Sequence, residues 1–494
     1  MQFPCFGQDL DMKVKMISLL SQKLKSSVSV TFIKNTGLIF IICFSFLMCG
    51  ATRTYISFLM PELKKNNATI PIDQEEASWL SALSSLSNPL GFLLGGFMMD
   101  FVGRKWSTSC TFLPFIAGWA LITCANNLVA LYIGTCLHGV AAGMTMTAAA
   151  YISEISVSEY RGFFLSLLSV SYWFGVVMCS VIYTYNILEW RYLALYFFII
   201  SVLMFLSTHK LPESPYWLII QGRIDDAREV LEDTRDNQDT IKEEISKIEE
   251  SINGKNPLQK TNPWISLLRA WKQIGILIIL ASLHKISGFT PISQYTPEFF
   301  GQFKGPVYTK RAALIYSIVS FLSTVLVPYF THNFNRRSLL FVTSLMAGLF
   351  MLFSWVYEFY LSSLLNENTI CRWIPLLGIY GYTISTTIGI TSIAVILPGE
   401  ILPTEISGIS NAFHNISSSI ITSLVNKTYF AMSNMIGFQS VLGIFAGCCF
   451  LIALLSVTIL PETRGKTLRE IQDTYFPRRD LQKESNTESN VEKV

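Results

Sequence analysis

The chain has 494 residues, of which 51% are hydrophobic and only 14% are charged, and its formal net charge is +3. Soluble proteins carry about 25% charged residues, so a chain of this size has too few charges to cover its surface in water, and much of that surface must face lipid. The small net charge argues against a nucleic-acid-binding surface. The ten cysteines show no paired or metal-ligand spacing, which predicts neither a disulfide framework nor a metal site.

Apolar residues gather into twelve blocks, each long enough to cross a bilayer, since a helix needs about 20 residues to span the hydrocarbon core. The blocks lie at approximately 37–60, 77–99, 107–125, 128–152, 163–186, 192–209, 273–296, 312–331, 338–360, 373–398, 408–432 and 436–460. No cleavable signal peptide precedes them, so the first block is expected to act as the targeting signal. The sequence therefore predicts an all-α membrane protein with twelve transmembrane helices.

The distribution of lysine and arginine predicts the orientation of these helices. Most of the 37 Lys and Arg residues fall before the first block, in alternate loops, in the long segment between the sixth and seventh blocks, or after the twelfth block. Positive residues are concentrated on the cytoplasmic side of membrane proteins. Both termini are therefore expected to be cytoplasmic, with the protein a multi-pass component of the plasma membrane.

The Asn-X-Ser/Thr sequons follow from the same orientation. Asn67 lies in the first external loop and is expected to carry a glycan, because that loop would face the lumen during synthesis. The sequons at Asn415 and Asn426 lie inside the eleventh block and are expected to stay unmodified.

A charged, helix-prone segment divides the blocks six and six. Its apolar residues Ile224, Ala227 and Leu231 recur at helical spacing, which is typical of an amphipathic helix, and the simplest interpretation is a solvated linker. The predicted parts are a cytoplasmic N-terminal segment 1–36, a six-helix bundle 37–209, a cytoplasmic helical linker 210–272, a second six-helix bundle 273–460 and a cytoplasmic tail 461–494.

Loops in equivalent places of the two halves carry matching short patterns. The pairs are GGFMMDFVGRK (95–105) with FTHNFNRRSLL (330–340), YISEISVSEYRG (151–162) with PGEILPTEISG (398–408), and PESPYWL (212–218) with PETRGKTL (461–468). They recur at a nearly constant offset, which indicates a duplicated six-helix unit. Two such repeats around a site near the membrane midplane are typical of secondary transporters.

These motifs, together with VNKTY (425–429) in the eleventh block, resemble those of the sugar porter family of the major facilitator superfamily, most closely its insect trehalose and hexose facilitators. The resemblance covers residues 37–475 and depends on the motifs occurring jointly and in order. It implies the major facilitator fold and uniport of a sugar such as trehalose or a hexose by alternating access. The expected partners are that small solute and the lipid bilayer, with no cofactor and no enzymatic reaction.

The resemblance also implies a cytoplasmic gate, in which charged residues at the helix ends pair across the two halves while the site faces outward. The residues at the matching positions are Asp100, Arg104, Lys105, Glu154, Arg161, Arg336, Arg337 and Glu400. Carboxylates at the ends of apolar spans are costly unless paired, which favours a gate over a solvated topology signal. His332, Asn335 and Ser407 replace the usual residues of the second half, so that half is expected to contribute less.

The substrate site implied by the resemblance is altered in this chain. The family usually has QQxSGxNxxxxY in the seventh span, where this chain has HKISGFTPISQY (284–295). The candidate substrate-binding residues are Ser169, His284, Lys285, Thr290, Tyr295, Ser418 and Ser419. An amide both donates and accepts hydrogen bonds whereas a lysine only donates, so the site is expected to differ from a standard hexose site.

Cations inside the predicted spans need separate interpretations. Lys285 lies near the middle of the seventh block, too far from either interface to snorkel, and is expected to face a wet cavity or a partner; the alternative is a neutral or carbonyl-bonded amine without a substrate role. Arg53 lies near the outer end of the first block, where snorkelling would also account for it. His284 is interpreted either as a hydrogen-bonded core residue or as a group that titrates near neutral pH.

No carboxylate lies mid-span in these blocks, which favours passive transport over proton coupling. No segment outside them is long enough for a nucleotide-binding domain, which disfavours an ATP-driven pump. Two other functions stay open: transport of an organic anion or modified sugar, indicated by Lys285 and Arg53, and a sensing or binding protein that no longer transports.

Overall fold

The computed structural model describes residues 30–157, 160–235, 238–253, 271–303, 309–361, 373–402, 407–460 and 462–464. These residues are almost entirely helical, and most of them belong to twelve long helices. The predicted terminal segments 1–36 and 461–494 fall largely outside the described residues.

The twelve helices coincide with the twelve apolar blocks, which confirms the predicted all-α fold. In chain order they are α1 (Val30–Leu63), α2 (Gln74–Phe101), α3 (Arg104–Cys110 and Phe112–Thr123), α4 (Leu128–Ile155), α5 (Arg161–Thr184), α6 (Trp190–Lys210), α7 (Trp271–Gln294), α8 (Thr309–Asn333), α9 (Arg336–Tyr360), α10 (Ile374–Ile401), α11 (Ser407–Ile436) and α12 (Phe438–Thr458). Within the described ranges, nine are long and apolar enough to cross a membrane. The other three are α2 and α11, whose serines and asparagines lower their hydropathy, and α3, which is interrupted at Thr111.

The two halves pack by the same pattern. In the first bundle (α1–α6), α1 packs on α5, α2 on α4, and α3 on α4 and α6; in the second bundle (α7–α12), α7 packs on α11, α8 on α10, and α9 on α10 and α12. The bundles meet through α2 with α11, α5 with α8, and α1 with α7. Each helix of the first bundle corresponds to the helix six places later in the chain, so that α1 corresponds to α7. Replacing every helix by its counterpart leaves the set of helix contacts unchanged, as expected for a duplicated unit with a pseudo-two-fold axis. We call the side on which α1 begins and α12 ends the near side, and the opposite side the far side.

The helix α7 is interrupted where the candidate site lies. Residues Lys285–Phe289 form a wide, π-type turn, and Gly288 within it has φ 106°, a conformation that a residue with a side chain rarely adopts. A Cβ at Gly288 would also lie 2.7 Å from the Phe445 ring of α12. The helix α10 has a similar wide turn at Thr386–Thr391. Wide turns within helices are frequent at functional sites, and both interruptions lie inside the second bundle.

Direct backbone contact joins α1 to α5. A Cβ added at Gly50 would lie 1.9 Å from the Tyr172 carbonyl oxygen, and one at Gly175 would lie 2.1 Å from that of Leu47. Small residues that allow such contact are the usual basis of helix packing in membranes.

The substitution Gly175→Val is expected to push α1 and α5 apart and to lower stability by about 1–3 kcal/mol, the usual cost of overpacking. The melting temperature of the purified protein measures this effect. Gly447→Val is the matched control, because no atom lies within 4 Å of a Cβ at Gly447. Equal melting temperatures for the two variants would contradict the close contact.

The segment after α6 forms three short helices, Pro215–Ile220, Ile224–Thr234 and Gln238–Asn253. They share a small apolar cluster, whose buried members are Leu218, Ile219, Ala227, Leu231, Ile241 and Ile245. Asn35 of α1 donates to the Thr234 carbonyl at 3.3 Å, and Arg235 donates to the Ile155 carbonyl of α4 at 3.0 Å. The segment is therefore docked on the near side of the first bundle, which goes beyond the simple solvated helix that its charge indicated.

Candidate substrate site and gates

Lys285 lies in the interrupted turn of α7 and remains half-buried. Its ammonium lies 5.4 Å from the centre of the Phe289 ring, a distance typical of a cation–π contact. Within the described part of the chain, no carboxylate lies within ion-pair distance of it. A positive group near the middle of a membrane span thus lacks an anionic partner.

Arg53 of α1 reaches across to the other bundle. Its Nη2 donates to Ser293 Oγ of α7 at 2.7 Å, and its buried Nε has no partner among the described residues. The charges of Arg53 and Lys285 lie close enough to act on each other. The side chain is therefore directed between the bundles and not to the membrane interface, so the snorkelling interpretation is wrong.

The histidines of this region are buried. His284 Nε2 lies 3.1 Å from Thr391 Oγ1 in the wide turn of α10, so the two interrupted helices are joined by this contact. His414 of α11 is also buried and interacts electrostatically with Lys285, and its Nδ1 has no hydrogen-bond partner among the described residues. The Thr290 hydroxyl is buried without a partner as well. Unpaired buried donors and acceptors are costly, so these groups are candidates for binding a solute.

The other candidate substrate residues are distributed differently. Tyr295 is fully buried, and its hydroxyl donates to the Asn426 carbonyl of α11 at 2.8 Å, so it packs between α7 and α11. Ser418 is half-buried and Ser419 is buried on α11, whereas Ser169 of α5 is exposed. The structure therefore brings His284, Lys285 and Thr290 together around the interrupted turn and leaves Ser169 on an exposed surface.

Sequence reasoning missed two buried amides near this site. Asn426 is fully buried with both side-chain amide atoms unpaired, and the Gln294 Nε2 atom is likewise buried and unpaired among the described residues. Asn426 was considered as a sequon and as part of the VNKTY motif, but not as a site residue. Amide side chains both donate and accept hydrogen bonds, as a sugar site requires. Gln294 could have been identified from the sequence, because Thr290, Ser293 and Gln294 are spaced to share one turn of α7.

The bundles are joined by hydrogen bonds and ion pairs on the far side. Lys64, just after α1, pairs with Glu298, just after α7, at 2.6 Å, and its ammonium also lies 4.7 Å from the Phe430 ring. Burial raises the pKa of the Glu298 carboxyl above its usual value, against the opposing effect of Lys64. Further contacts between the bundles in the far half involve Ser57 with Thr296, Thr184 with Lys310, Asn186 with Lys310, and Ser180 with Ser317. The described conformation is thus sealed on the far side.

A charged network holds the near side of the first bundle together. Arg104, at the start of α3, donates from Nε and Nη2 to the two oxygens of Glu154 at 2.8 and 2.9 Å. Glu213 accepts from the backbone N–H groups of Arg104 and Lys105 at 2.7 and 3.0 Å, where its charge complements the N-terminus of the helix. Ser214 Oγ donates to Glu154 at 2.5 Å. One cluster therefore connects the ends of α2 and α4 with the segment after α6.

The second bundle repeats this network residue for residue. Arg336 donates from Nε and Nη2 to Glu400 Oε1 at 3.3 and 3.2 Å, and Thr463 Oγ1 donates to Glu400 Oε2 at 2.5 Å. Glu462 accepts from the backbone N–H groups of Arg336 and Arg337 at 3.0 and 3.2 Å. Glu213 and Glu462 were not among the predicted site residues, although their matching PES and PET motifs were the signal that could have identified them.

In this conformation, which is sealed on the far side, Arg104 and Arg336 each pair with a carboxylate of their own bundle. Pairing of these charges across the two halves therefore stays a prediction for the conformation in which the site faces outward. Asp100 and Arg161 are exposed, and Lys105 lies over the ring of Trp106 at 5.8 Å. His332 and Asn335 are exposed, and the Ser407 side chain lies outside the described atoms.

Comparison with known proteins agrees with this architecture. Residues 30–475 match the model of the family described as "Sugar (and other) transporter". The chain is 28% identical over 433 residues to the facilitated trehalose transporter Tret1 of Apis mellifera ligustica, which covers 87% of this chain and 86% of that protein. It is also 28% identical over 422 residues to Tret1 of Bombyx mori, covering 84% of this chain and 82% of that protein.

Among solved structures, the fold is similar to that of the xylose transporter XylE from E. coli. The inward open conformation of XylE gives a TM-score of 0.74 at 19% identity, covering 89% of this chain and 99% of XylE. XylE bound to 6-bromo-6-deoxy-D-glucose gives a TM-score of 0.71, also at 19% identity, covering 89% and 100%. The fold is therefore that of the major facilitator superfamily, and the chain belongs to the sugar transporter family, whose matched members are transporters and not enzymes.

Proposed function

We propose that the protein is a facilitative transporter that moves a sugar across the plasma membrane by alternating access. The observation that carries this proposal is the repeated near-side network, which ties each bundle into a unit while no ion pair among the described residues joins the bundles there. Two units that contact through far-side bonds can rock around a site between them. That site is the interrupted turn of α7, with Arg53 facing it from α1.

The positions of the carboxylates support passive transport. In the described helices the carboxylates lie toward the ends of the spans; examples are Glu62, Glu154, Glu358 and Glu400. None of these four is level with Lys285. A carrier that couples transport to protons through a carboxylate needs that carboxylate within the membrane. Uptake is therefore expected to follow the sugar gradient alone.

Uptake of radiolabelled trehalose and glucose into proteoliposomes that contain the purified protein tests the proposal. Saturable uptake above that of empty vesicles, unchanged when a pH gradient is imposed, is the expected result. Uptake no faster than that of empty vesicles for either sugar would refute transport, and stimulation by a pH gradient would refute the passive mechanism.

The orientation belongs to the same proposal, with both termini and the docked linker in the cytoplasm. Asn67 supports it, because this residue is exposed in the far-side turn that follows α1. Asn426 is fully buried in α11, where a glycosyltransferase has no access. The proposal also includes the division of the chain into an N-terminal segment, a first bundle, a linker, a second bundle and a tail, with boundaries after residues 36, 209, 272 and 460.

Treatment of the protein from insect cells with a glycosidase is expected to increase its gel mobility, and Asn67→Gln is expected to abolish that shift. Asn415→Gln is the matched control and should leave the shift intact, since Asn415 lies within α11. Absence of a shift in a cell that modifies comparable loops would count against a lumenal far side.

A further inference from the structure

The two cations of the central site differ from several other positive residues. Four positive residues elsewhere in the described structure have carboxylate partners, the pairs being Lys64 with Glu298, Arg104 with Glu154, Arg336 with Glu400, and Lys427 with Glu75. Arg53 and Lys285 have none within ion-pair distance in the same residues. The central site therefore holds two positive charges that no described carboxylate neutralises.

Both cations have donors without partners among the described residues. Arg53 and Lys285 are half-buried, so part of each side chain remains accessible between the bundles. One guanidinium nitrogen of Arg53 is bonded to Ser293, whereas Nε is buried and unpaired. Lys285 Nζ has the Phe289 ring as its neighbour and makes no hydrogen bond to a carbonyl among the described residues. A guanidinium and an ammonium can each donate charge-assisted hydrogen bonds to a carboxylate.

Hydroxyl-binding groups surround the two cations. Thr391 Oγ1 and His284 Nε2 lie 3.1 Å apart on one side, and the buried Thr290 hydroxyl and His414 Nδ1 lack partners. A neutral sugar would leave both positive charges without an anionic partner. A solute with one carboxylate and several hydroxyls would offset one of the two charges and also offer partners to the polar groups.

We propose that the central site takes a hydroxylated carboxylate, the chemical class of sugar acids, with Arg53 and Lys285 binding the carboxylate. The inference rests on the proposed transport function, since it names the substrate class of that site. Passive movement of such a solute carries negative charge across the membrane. Its uptake must therefore respond to membrane potential, whereas uptake of a neutral sugar must not.

D-glucuronate is the probe, compared with glucose and trehalose in proteoliposomes that contain the wild-type protein. Saturable glucuronate uptake that increases when the vesicle interior is made positive, with weaker competition by glucose, is expected. Lys285→Gln is expected to lower glucuronate uptake about tenfold, the loss of one charge-assisted bond, and so to shift the preference between the two solutes toward glucose. Lys285→Arg retains the charge and should retain glucuronate uptake. Lys247→Gln makes the same chemical change on the exposed linker and should alter neither.

The outcomes separate this inference from the proposed function. Uptake of glucose or trehalose without uptake or binding of glucuronate would overturn the sugar-acid inference and leave sugar transport intact. An equal loss of glucuronate uptake and glucose uptake in Lys285→Gln would also overturn the sugar-acid inference without contradicting sugar transport. If no solute is transported but glucuronate raises the melting temperature of the wild type and not of Lys285→Gln, the site assignment holds and transport fails. If Lys285→Gln does not fold, the wild-type preference between glucuronate and glucose, with its potential dependence, decides the question.

Discussion

Replacing Arg104 with alanine is expected to lower both thermal stability and transport rate, and to do so more than the equivalent change Arg336→Ala. The Arg104 and Glu154 side chains are 10% and 16% exposed and form two parallel hydrogen bonds. Removing one member of a buried pair leaves the other charge uncompensated, at a cost of about 2–4 kcal/mol here. The Arg336 and Glu400 side chains are 18% and 25% exposed and share a single oxygen, so about 1–2 kcal/mol is expected.

Melting temperature and initial uptake rate in proteoliposomes measure these effects. Arg161→Ala is the matched control for stability, because Arg161 is exposed at the start of α5, and it should leave the melting temperature unchanged. If all three variants behave like the wild type, the near-side charges serve only as topology signals. If Arg336→Ala is the most damaging variant, the difference in burial does not determine the contribution of each half.

The helices and the duplication could be predicted from the sequence because the bilayer imposes them. A backbone in lipid must satisfy its own hydrogen bonds, so apolar blocks of the right length become helices. Repeated motifs then identify the two bundles. The pseudo-symmetric contacts of α2 with α11 and α5 with α8 follow from that duplication. The central position of Lys285 was predictable for the same reason, since its place along α7 sets its depth in the membrane.

Partner choice was much less predictable, because it depends on which helix faces meet. Arg104 and Glu154 lie 50 residues apart and Lys64 and Glu298 lie 234 residues apart, and no periodicity relates the members of either pair. From its position along α1, the Arg53 side chain could either extend to the membrane interface or lie between the bundles. Only the packing of α1 against α7 distinguishes these two alternatives. Glu213 was overlooked because its motif was treated only as evidence of the repeat, and the motif does not indicate which backbone N–H groups the carboxylate accepts from.

Removing Lys64 is expected to open the far side of the protein. Lys64→Met leaves Glu298, whose side chain is 13% exposed, without its cation in the sealed conformation, at a cost of about 2–3 kcal/mol. The double variant Lys64→Met/Glu298→Gln removes both charges and should restore the sealed population. Lys427→Met is the control: its partner Glu75 is 76% exposed, so loss of that pair should have little effect. The distance between spin labels at Asn67→Cys and Met435→Cys, both at exposed far-side positions on opposite bundles, reports the opening.

The burial of Glu298 also leads us to expect that opening of the far side depends on pH. In the sealed conformation, burial raises the pKa of Glu298, and the nearby Lys64 opposes this effect. In a conformation open to the far side, water reaches the carboxyl and its pKa returns to the usual value. The form with the higher pKa binds the proton more tightly, so acidification stabilises the sealed form, and this stabilisation is lost as the pH rises through the raised pKa. Label distances should therefore shift toward the sealed value on acidification, and Glu298→Gln should abolish the shift. A wild type that opens in acid would mean that the attraction of Lys64 exceeds the cost of burying the carboxylate.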